Sequence, residues 1–370
     1  MVVAAAVVVA AGTVTGVLSA LDDGRSGDEA KPGVTRSPHL DQLPVAPSPS
    51  VAKTSPTAVP KRMPSPTPSA TRTGKKRRSA PAATRLYSHP DSQVLDWVRA
   101  HPGDPRTPVI ASRIADRPAA VWFADFTPST IAARVRAVTS GAAGQGRVPV
   151  VVAYAIPGRD CGGASEGGAP DLAAYDAWID RFATGLGSGE VVVILEPDAI
   201  AQSDCLSGTE RAERFASLAR AGRVLKAADP KARVYYDAGH SDWNPAAQQA
   251  SLLRQAGAAS AASSDGVFSN VSNFNATSDE IAYDRRVLAD LGGPASLGAV
   301  VDTSRNGNGA PADGAWCDPA GRRIGRAPTL STGEWRIDGY LWVKPPGESD
   351  GCKGSPGTFS PSYAYDLASS

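Results

Sequence analysis

Two stretches of the sequence place ionisable groups where a buried chain would ordinarily exclude them. Glu196-Pro197-Asp198 follows directly on Val191-Val192-Val193-Ile194-Leu195, and Arg159, Asp160 and Cys161 follow the run that ends in Tyr154-Ala155-Ile156-Pro157. A carboxylate at the end of a buried run is costly unless it is hydrogen-bonded or used. Cleavage of a glycosidic bond needs two flanking carboxyl groups, one protonated and one ionised. A further carboxylate nearby raises the pKa of the one that must keep its proton, so a third acid belongs to that logic. Asp125, Asp160, Asp198, Asp237, Asn273 and Asp302 all stand at or just after the ends of apolar runs, and Asp350 follows the last by a short loop. A lone Asp after a strand is ordinarily a cap or turn residue. A ring of them from different strands is harder to explain by capping alone.

The elements that must hold this ring alternate. Strand-length runs rich in Val, Ile, Tyr and Trp occupy residues 119–125, 148–156, 191–196, 233–237, 266–271, 298–303 and 339–344. Their continuous apolarity suits strands covered on both faces. Helix-length amphipathic stretches lie at 92–100, 128–138, 171–184, 209–228, 245–255 and 278–291, and Ser207 and Glu210 have the spacing of a capping box before the fourth. The alternation predicts an α/β fold on a parallel sheet, with the ligand site at the carboxyl ends of the strands. It suits a barrel or a large open sheet equally.

The chain of 370 residues divides by charge. Residues 22–86 carry 12 Lys/Arg against 5 Asp/Glu and 11 of the 31 prolines, whereas residues 87–370 carry a net charge of −6. The acidic part excludes a broad electrostatic footprint for nucleic acid. Val2 to Leu21 is uncharged. Its length suits a membrane span of ~20 residues better than the ~7–15-residue apolar core of a signal peptide. Signal anchor and cleaved signal are both open, and both export the remainder. Residues 22–86, with Pro/Ser/Thr/Lys-rich composition, read as a disordered spacer, and Lys75-Lys76-Arg77-Arg78 as a solvated charge run within it. The four cysteines, Cys161, Cys205, Cys317 and Cys352, are even in number, which fits disulfides in an exported chain. Three pairings are open. No short C-x-x-C spacing occurs, so a zinc site is not expected. Nothing else in the sequence implies a metal or an organic cofactor.

Six ordered segments resemble glycoside hydrolase family 6, the inverting cellulases of the actinobacterial endoglucanase type. They are Tyr154 to Cys161 with Ser165, Ile194 to Ile200, Tyr236-Asp237-Ala238-Gly239-His240 with Trp243, Asn270 to Asn275, Trp316-Cys317, and Trp342 to Gly351. The resemblance spans residues 87–370. It implies one distorted parallel β/α barrel of about seven strands with an open cleft, in a monomer acting on a β-1,4-glucan outside the cell. Asp198 resembles the general acid. Asp160 resembles the acid that raises its pKa and relays a proton from water, Asp350 the proposed base, and Asp237 a supporting carboxylate. Tyr154 resembles the residue beside the distorted sugar ring. Trp122, Trp243 and Trp316 resemble sugar platforms, and Ser165, His240, Asn273, Lys344 and Glu348 resemble substrate contacts. The implied disulfides are Cys161–Cys205 and Cys317–Cys352. Ala155 and Gly158 stand where many members carry acids. Ser349 stands where some carry Cys, and Ser241-Asp242 where small residues are frequent.

Other readings compete with an endoglucanase. A cellobiohydrolase of the same family would need longer loops than 305–316 and 351–359 to roof the cleft. A non-catalytic glycan-binding module would keep the indoles and lose an acid. A Ser-His-Asp hydrolase lacks a Gly-x-Ser-x-Gly elbow after a strand. Trp97 and Trp178, on helical stretches, read as core.

Overall fold

The computed structural model describes residues 86–370; the proposed leader and spacer lie outside the described residues. Seven parallel strands pair in strict chain order, β1 (Val121–Phe123), β2 (Val150–Ala153), β3 (Val191–Leu195), β4 (Ala232–Asp237), β5 (Gly266–Ser269), β6 (Gly298–Asp302) and β7 (Ile337–Leu341). Sequential parallel order with helical crossovers curls a twisted sheet on itself. Its edges meet without a ladder. The Ala120 N–H donates to the Trp342 carbonyl at 2.9 Å, and Trp122 Nε1 donates to the Val343 carbonyl at 2.7 Å. This is the distorted seven-stranded barrel expected.

The period of two along each strand sorts the core into two layers. Val150, Val152, Val192, Ile194, Tyr235, Phe268, Val300 and Leu341 fill the interior. The alternate residues, among them Val151, Val193, Val234, Val267 and Val301, pack outward against the helices. Two short helices, α1 (Gln93–Ala100) and α2 (Thr107–Ile110), precede β1, and a single π-helical turn, Ala111–Ala115, continues α2. The crossovers are α3 (Ile131–Gly144), α4 (Leu172–Thr184), α5 (Gly208–Ala228), α6 (Ala246–Gln255) and α7 (Thr277–Leu291). Trp178 is fully buried and Trp97 packs beside a smaller cluster, as their helical positions imply. The Ser207/Glu210 capping box forms at the start of α5, with both reciprocal bonds present.

The structure departs from the sequence expectation in the ends of its strands and in one added helix. Several strands end earlier than their apolar runs, and after β2 and β7 side-chain carboxylates take the next amides. The run 148–156 stops pairing at Ala153, where the Glu196 carboxylate accepts from the Ala155 and Ile156 N–H groups at 2.9–3.0 Å. Between β6 and β7, where the sequence marks no helix, residues 303–336 form a long irregular connection. A last helix, α8 (Pro361–Ser369), begins at a Ser360 cap with Pro361 at its first position. Its brevity left it inside the tail of the apolar pattern. Both implied disulfides form, Cys161–Cys205 and Cys317–Cys352. The first ties the loop after β2 to the loop after β3, and the second ties the long β6–β7 connection to the loop after β7.

Candidate active site

At the end of β3 the backbone turns sharply, with φ at +49° for Glu196 and +69° for Asp198. Non-glycine residues in this region carry strain of about 1–3 kcal/mol each and persist only where the surroundings hold them. The turn separates two carboxyls that the sequence sets side by side. Glu196 points back into the protein, fully buried on the amides of Ala155 and Ile156. Burial pushes it up to about 7, and those amides oppose the rise. It therefore fixes the end of β2 relative to β3. Asp198 points the other way, into a cleft of about 1200 Å³.

Asp198 sits above Asp237, which is buried at the end of β4. Asp237 accepts from the N–H groups of Ala201 at 2.8 Å, Gly239 at 2.9 Å and Ile200 at 3.2 Å. Among the described residues no group donates to the Asp198 carboxyl. Burial raises both acids, but the amides hold Asp237 back. Asp198 is pushed well above the usual carboxylate range by burial first, then by the charges of Asp237 and Asp160, with Lys344 opposing. Two close carboxyls cannot both ionise cheaply, so one proton resides on the one without donors. That acid is Asp198, and it faces the cleft.

Asp160, at φ +57°, opens the loop after β2. Its Oδ2 accepts from the Ser165 amide at 2.7 Å and the Ser165 hydroxyl at 2.9 Å, and that hydroxyl lies 3.0 Å from the Tyr154 hydroxyl. Arg159 braces the loop from below. It donates to the carbonyls of Ala124 at 2.6 Å, Ser165 at 2.8 Å and Tyr154, and its guanidinium stacks 4.4 Å over the Tyr154 ring. Trp122 packs edge-on against the same ring at 5.2 Å. Tyr154 is raised above its ordinary range, first by burial and then by the Asp198 charge, so it stays a neutral phenol beside the acids.

Asp350 is held between two cations. Arg305 Nη1 donates to its Oδ2 at 2.6 Å, and Lys344 Nζ stands 3.2 Å from its Oδ1. Arg305 is wholly buried; it also reaches the Ser272 carbonyl and the Tyr363 hydroxyl and stacks 4.4 Å over Phe274. Asp318 knots the loop from beneath. Its carboxylate accepts from the Ser349 hydroxyl at 2.5 Å and from the amides of Asp350, Lys353 and Cys352 at 2.8–3.0 Å. Burial works against its charge, yet these donors hold it below the ordinary range. Ser349, where some family members carry Cys, is thus a hydrogen-bonding part of the turn. Asp302 ties the same region to β6 by accepting from the Lys344 and Ser304 amides at 2.9 Å.

Of the thirteen candidate catalytic and substrate-binding residues, all but Asp237 line this one cleft. Trp316 stands 59% exposed beside it. Trp243 and His240 pack together at 5.3 Å. Burial lowers the His240 pKa, with Asp242 opposing, so a neutral imidazole faces the cleft. Glu348 is pushed up to about 7 by burial, opposed by Lys344 and by a 2.8 Å bond from Gln93. Sequence reasoning missed Arg305, Asp318 and the brace at Arg159. Their signals were faint: an Arg three residues beyond β6, and an Asp beside Cys317.

A parallel barrel that opens into a groove walled by indoles, with a protonated carboxyl at its base, defines the class of carboxylate-dependent glycoside hydrolases. Residues 81–367 match the profile described as glycosyl hydrolases family 6, and the chain belongs to that family. It is 52% identical over 284 residues to Endoglucanase A of Thermobispora bispora, covering 76% of this chain and 61% of that protein. It is 53% identical over 279 residues to Endoglucanase 1 of Streptomyces sp. (strain KSM-9), covering 75% of this chain and 76% of that one. Among solved structures, the endoglucanase Cel6 from Mycobacterium tuberculosis, in complex with methyl-cellobiosyl-4-deoxy-4-thio-β-D-cellobioside, superposes with a TM-score of 0.71 at 39% identity. That match covers 78% of this chain and 97% of the other.

Proposed function

We propose that the protein is an endo-β-1,4-glucanase that hydrolyses internal bonds of cellulose or a related β-glucan with inversion at the anomeric carbon. The observation that carries this reading is Asp198, a cleft-facing carboxyl to which none of the described residues donates a hydrogen bond and whose pKa is strongly raised. Asp198 gives its proton to the leaving glycosidic oxygen as the bond to the anomeric carbon breaks. Water attacks that carbon from the opposite face in the same step. Its proton leaves through the Ser165–Asp160 side of the cleft. Asp350, neutralised by Arg305 and Lys344, fits an electrostatic role on the sugar better than that of a free base. Tyr154 bears on the ring at the cleavage point. Trp122, Trp243 and Trp316 offer flat apolar faces to pyranose rings, and His240, Asn273, Lys344 and Glu348 offer the polar contacts.

Internal cleavage requires that a long chain enter sideways. The large exposed area of Trp316 shows that no loop of the described residues roofs that part of the cleft, and the curated relatives above are named endoglucanases. On this reading residues 87–370 are the catalytic domain, residues 22–86 a spacer, and residues 1–21 an export signal or membrane anchor that places a monomeric enzyme outside the cell. Carboxymethylcellulose should lose viscosity steeply while few reducing ends appear. Steady release of cellobiose at unchanged viscosity would contradict endo action and favour the cellobiohydrolase alternative.

A further inference from the structure

Between the end of β2 and Asp160 the chain runs through residues 154–159 without a helix or a strand. Such a stretch has no complete ladder for its backbone groups, so side chains must supply partners. Here two buried side chains of opposite character do so. The Glu196 carboxyl, from the turn after β3, accepts from the Ala155 and Ile156 N–H groups at 2.9 Å each. The Arg214 guanidinium, from α5, is 4% exposed and donates to the Pro157 carbonyl at 2.8 Å and the Gly158 carbonyl at 3.2 Å. One side chain takes the donors of two successive residues, and the other takes the acceptors of the next two. Burial pushes Glu196 up to about 7, and a protonated carboxyl keeps one acceptor oxygen, so its grip persists on both sides of that value.

Neither Glu196 nor Arg214 lines the cleft, so neither touches a bound glucan. What they hold does line it. Asp160 follows Gly158 by two residues, and both Asp160 and Cys161 keep left-handed backbone, at φ +57° and +46°. Non-glycine residues stay in that region only where their surroundings enforce it. The Cys161–Cys205 disulfide fixes the far end of this turn. The near end rests on the bonds from Glu196 and Arg214. Glu196 also shares one strained turn with Asp198. The same piece of backbone therefore aims the general acid and anchors the strand end that leads to Asp160.

We propose that Glu196 and Arg214 are positioning residues, a buried clamp that holds Asp160, and with it the water-side proton path, in register with Asp198. The proposal rests on the glucanase reading and deepens it, because it names what sets the place of the second acid. Misplacing a reacting group by about 1 Å costs on the order of a hundredfold in rate, and the clamp acts on that scale.

The test is steady-state kinetics of the full chain on cellotetraose and on 2,4-dinitrophenyl cellobioside, below the melting transition of every variant. E196M removes the acceptors and R214M the donors, each at similar side-chain volume. Either should lower kcat on cellotetraose by roughly 10–100-fold while KM stays within about twofold of the wild type. A residue that merely held the fold would disturb KM along with kcat. E196Q keeps one acceptor oxygen and R214K one donor group, so each should lie between its methionine variant and the wild type. The activated leaving group should not restore E196M or R214M, because the water side still lacks its relay. In a D160N background both substitutions should cost no more than about twofold further, since the group they place is already gone. Rates of the wild type and D160N alone bear on the glucanase reading; only the added effect of the clamp variants bears on the clamp. R214M decides the test where E196M does not fold. Wild-type kcat in either methionine variant would overturn the proposal. So would losses that multiply with that of D160N, or recovery on the dinitrophenyl substrate.

Discussion

Asp198→Asn should lower kcat on cellotetraose by about a thousandfold while the binding of cello-oligosaccharides changes little. General acid catalysis contributes roughly 10²–10⁴-fold, and a thousandfold loss corresponds to about 4 kcal/mol of barrier. Asparagine keeps the size of the side chain and removes the transferable proton. Asp198 already holds the proton and is neutral, so exchanging it for neutral asparagine should leave the fold about as stable as the wild type. The pH profile carries the same information with a defined sign. Asp198 acts only while protonated, and its pKa is raised by burial and by the Asp237 and Asp160 charges. Activity should therefore persist well above the ordinary carboxylate range and fall as pH rises through the Asp198 value. A substrate whose leaving group needs no protonation, such as a 2,4-dinitrophenyl cellobioside, should recover much of the lost rate in the variant. Ordinary kcat in Asp198→Asn would remove the acid from the mechanism.

Arg305→Met should have the largest effect on stability. The guanidinium is wholly buried and neutralises Asp350 at 2.6 Å while binding the Ser272 carbonyl and the Tyr363 hydroxyl. Removing one partner of a buried pair costs roughly 3–5 kcal/mol, because the other charge is left uncompensated. In a domain of this size that is a fall in Tm of about 10 °C. Lys344 remains beside Asp350 and limits the damage, yet it cannot reproduce the fork that links three loops. The double variant Arg305→Met with Asp350→Asn should regain part of the lost Tm without regaining activity. If Arg305→Met melted within 2 °C of the wild type, the cluster would not be the clamp described.

Much of this site was legible because the barrel converts sequence order into spatial order. Each apolar run ends on the same rim, so the acids that follow β2, β3, β4 and β6 must meet there. The period of two in those runs also foretold which side chains fill the barrel and which meet the helices. What the sequence hid were roles set by orientation. Glu196 and Asp198 are two residues apart and equally acidic, yet one is spent on backbone amides and the other is free for chemistry. Only the left-handed turn between them decides it. Arg305 and Asp318 were hidden for another reason. They lie in the helix-free connection between β6 and β7, where no periodicity marks an element, and they meet Asp350 across 45 and 32 residues of sequence. Strand ends were misread by two or three residues wherever a side chain, such as the Glu196 carboxylate at Ala155 and Ile156, outcompeted the neighbouring strand for an amide.

The central claim is a single displacement in which Asp198 protonates the leaving oxygen while water enters from the other face. Proton NMR of cellotetraose or cellopentaose hydrolysis, recorded before mutarotation, reads that claim from the first product. The account predicts that the new reducing end appears as the α-anomer from the β-linked substrate. Initial appearance of the β-anomer would mean a covalent intermediate and two displacements, and would contradict it.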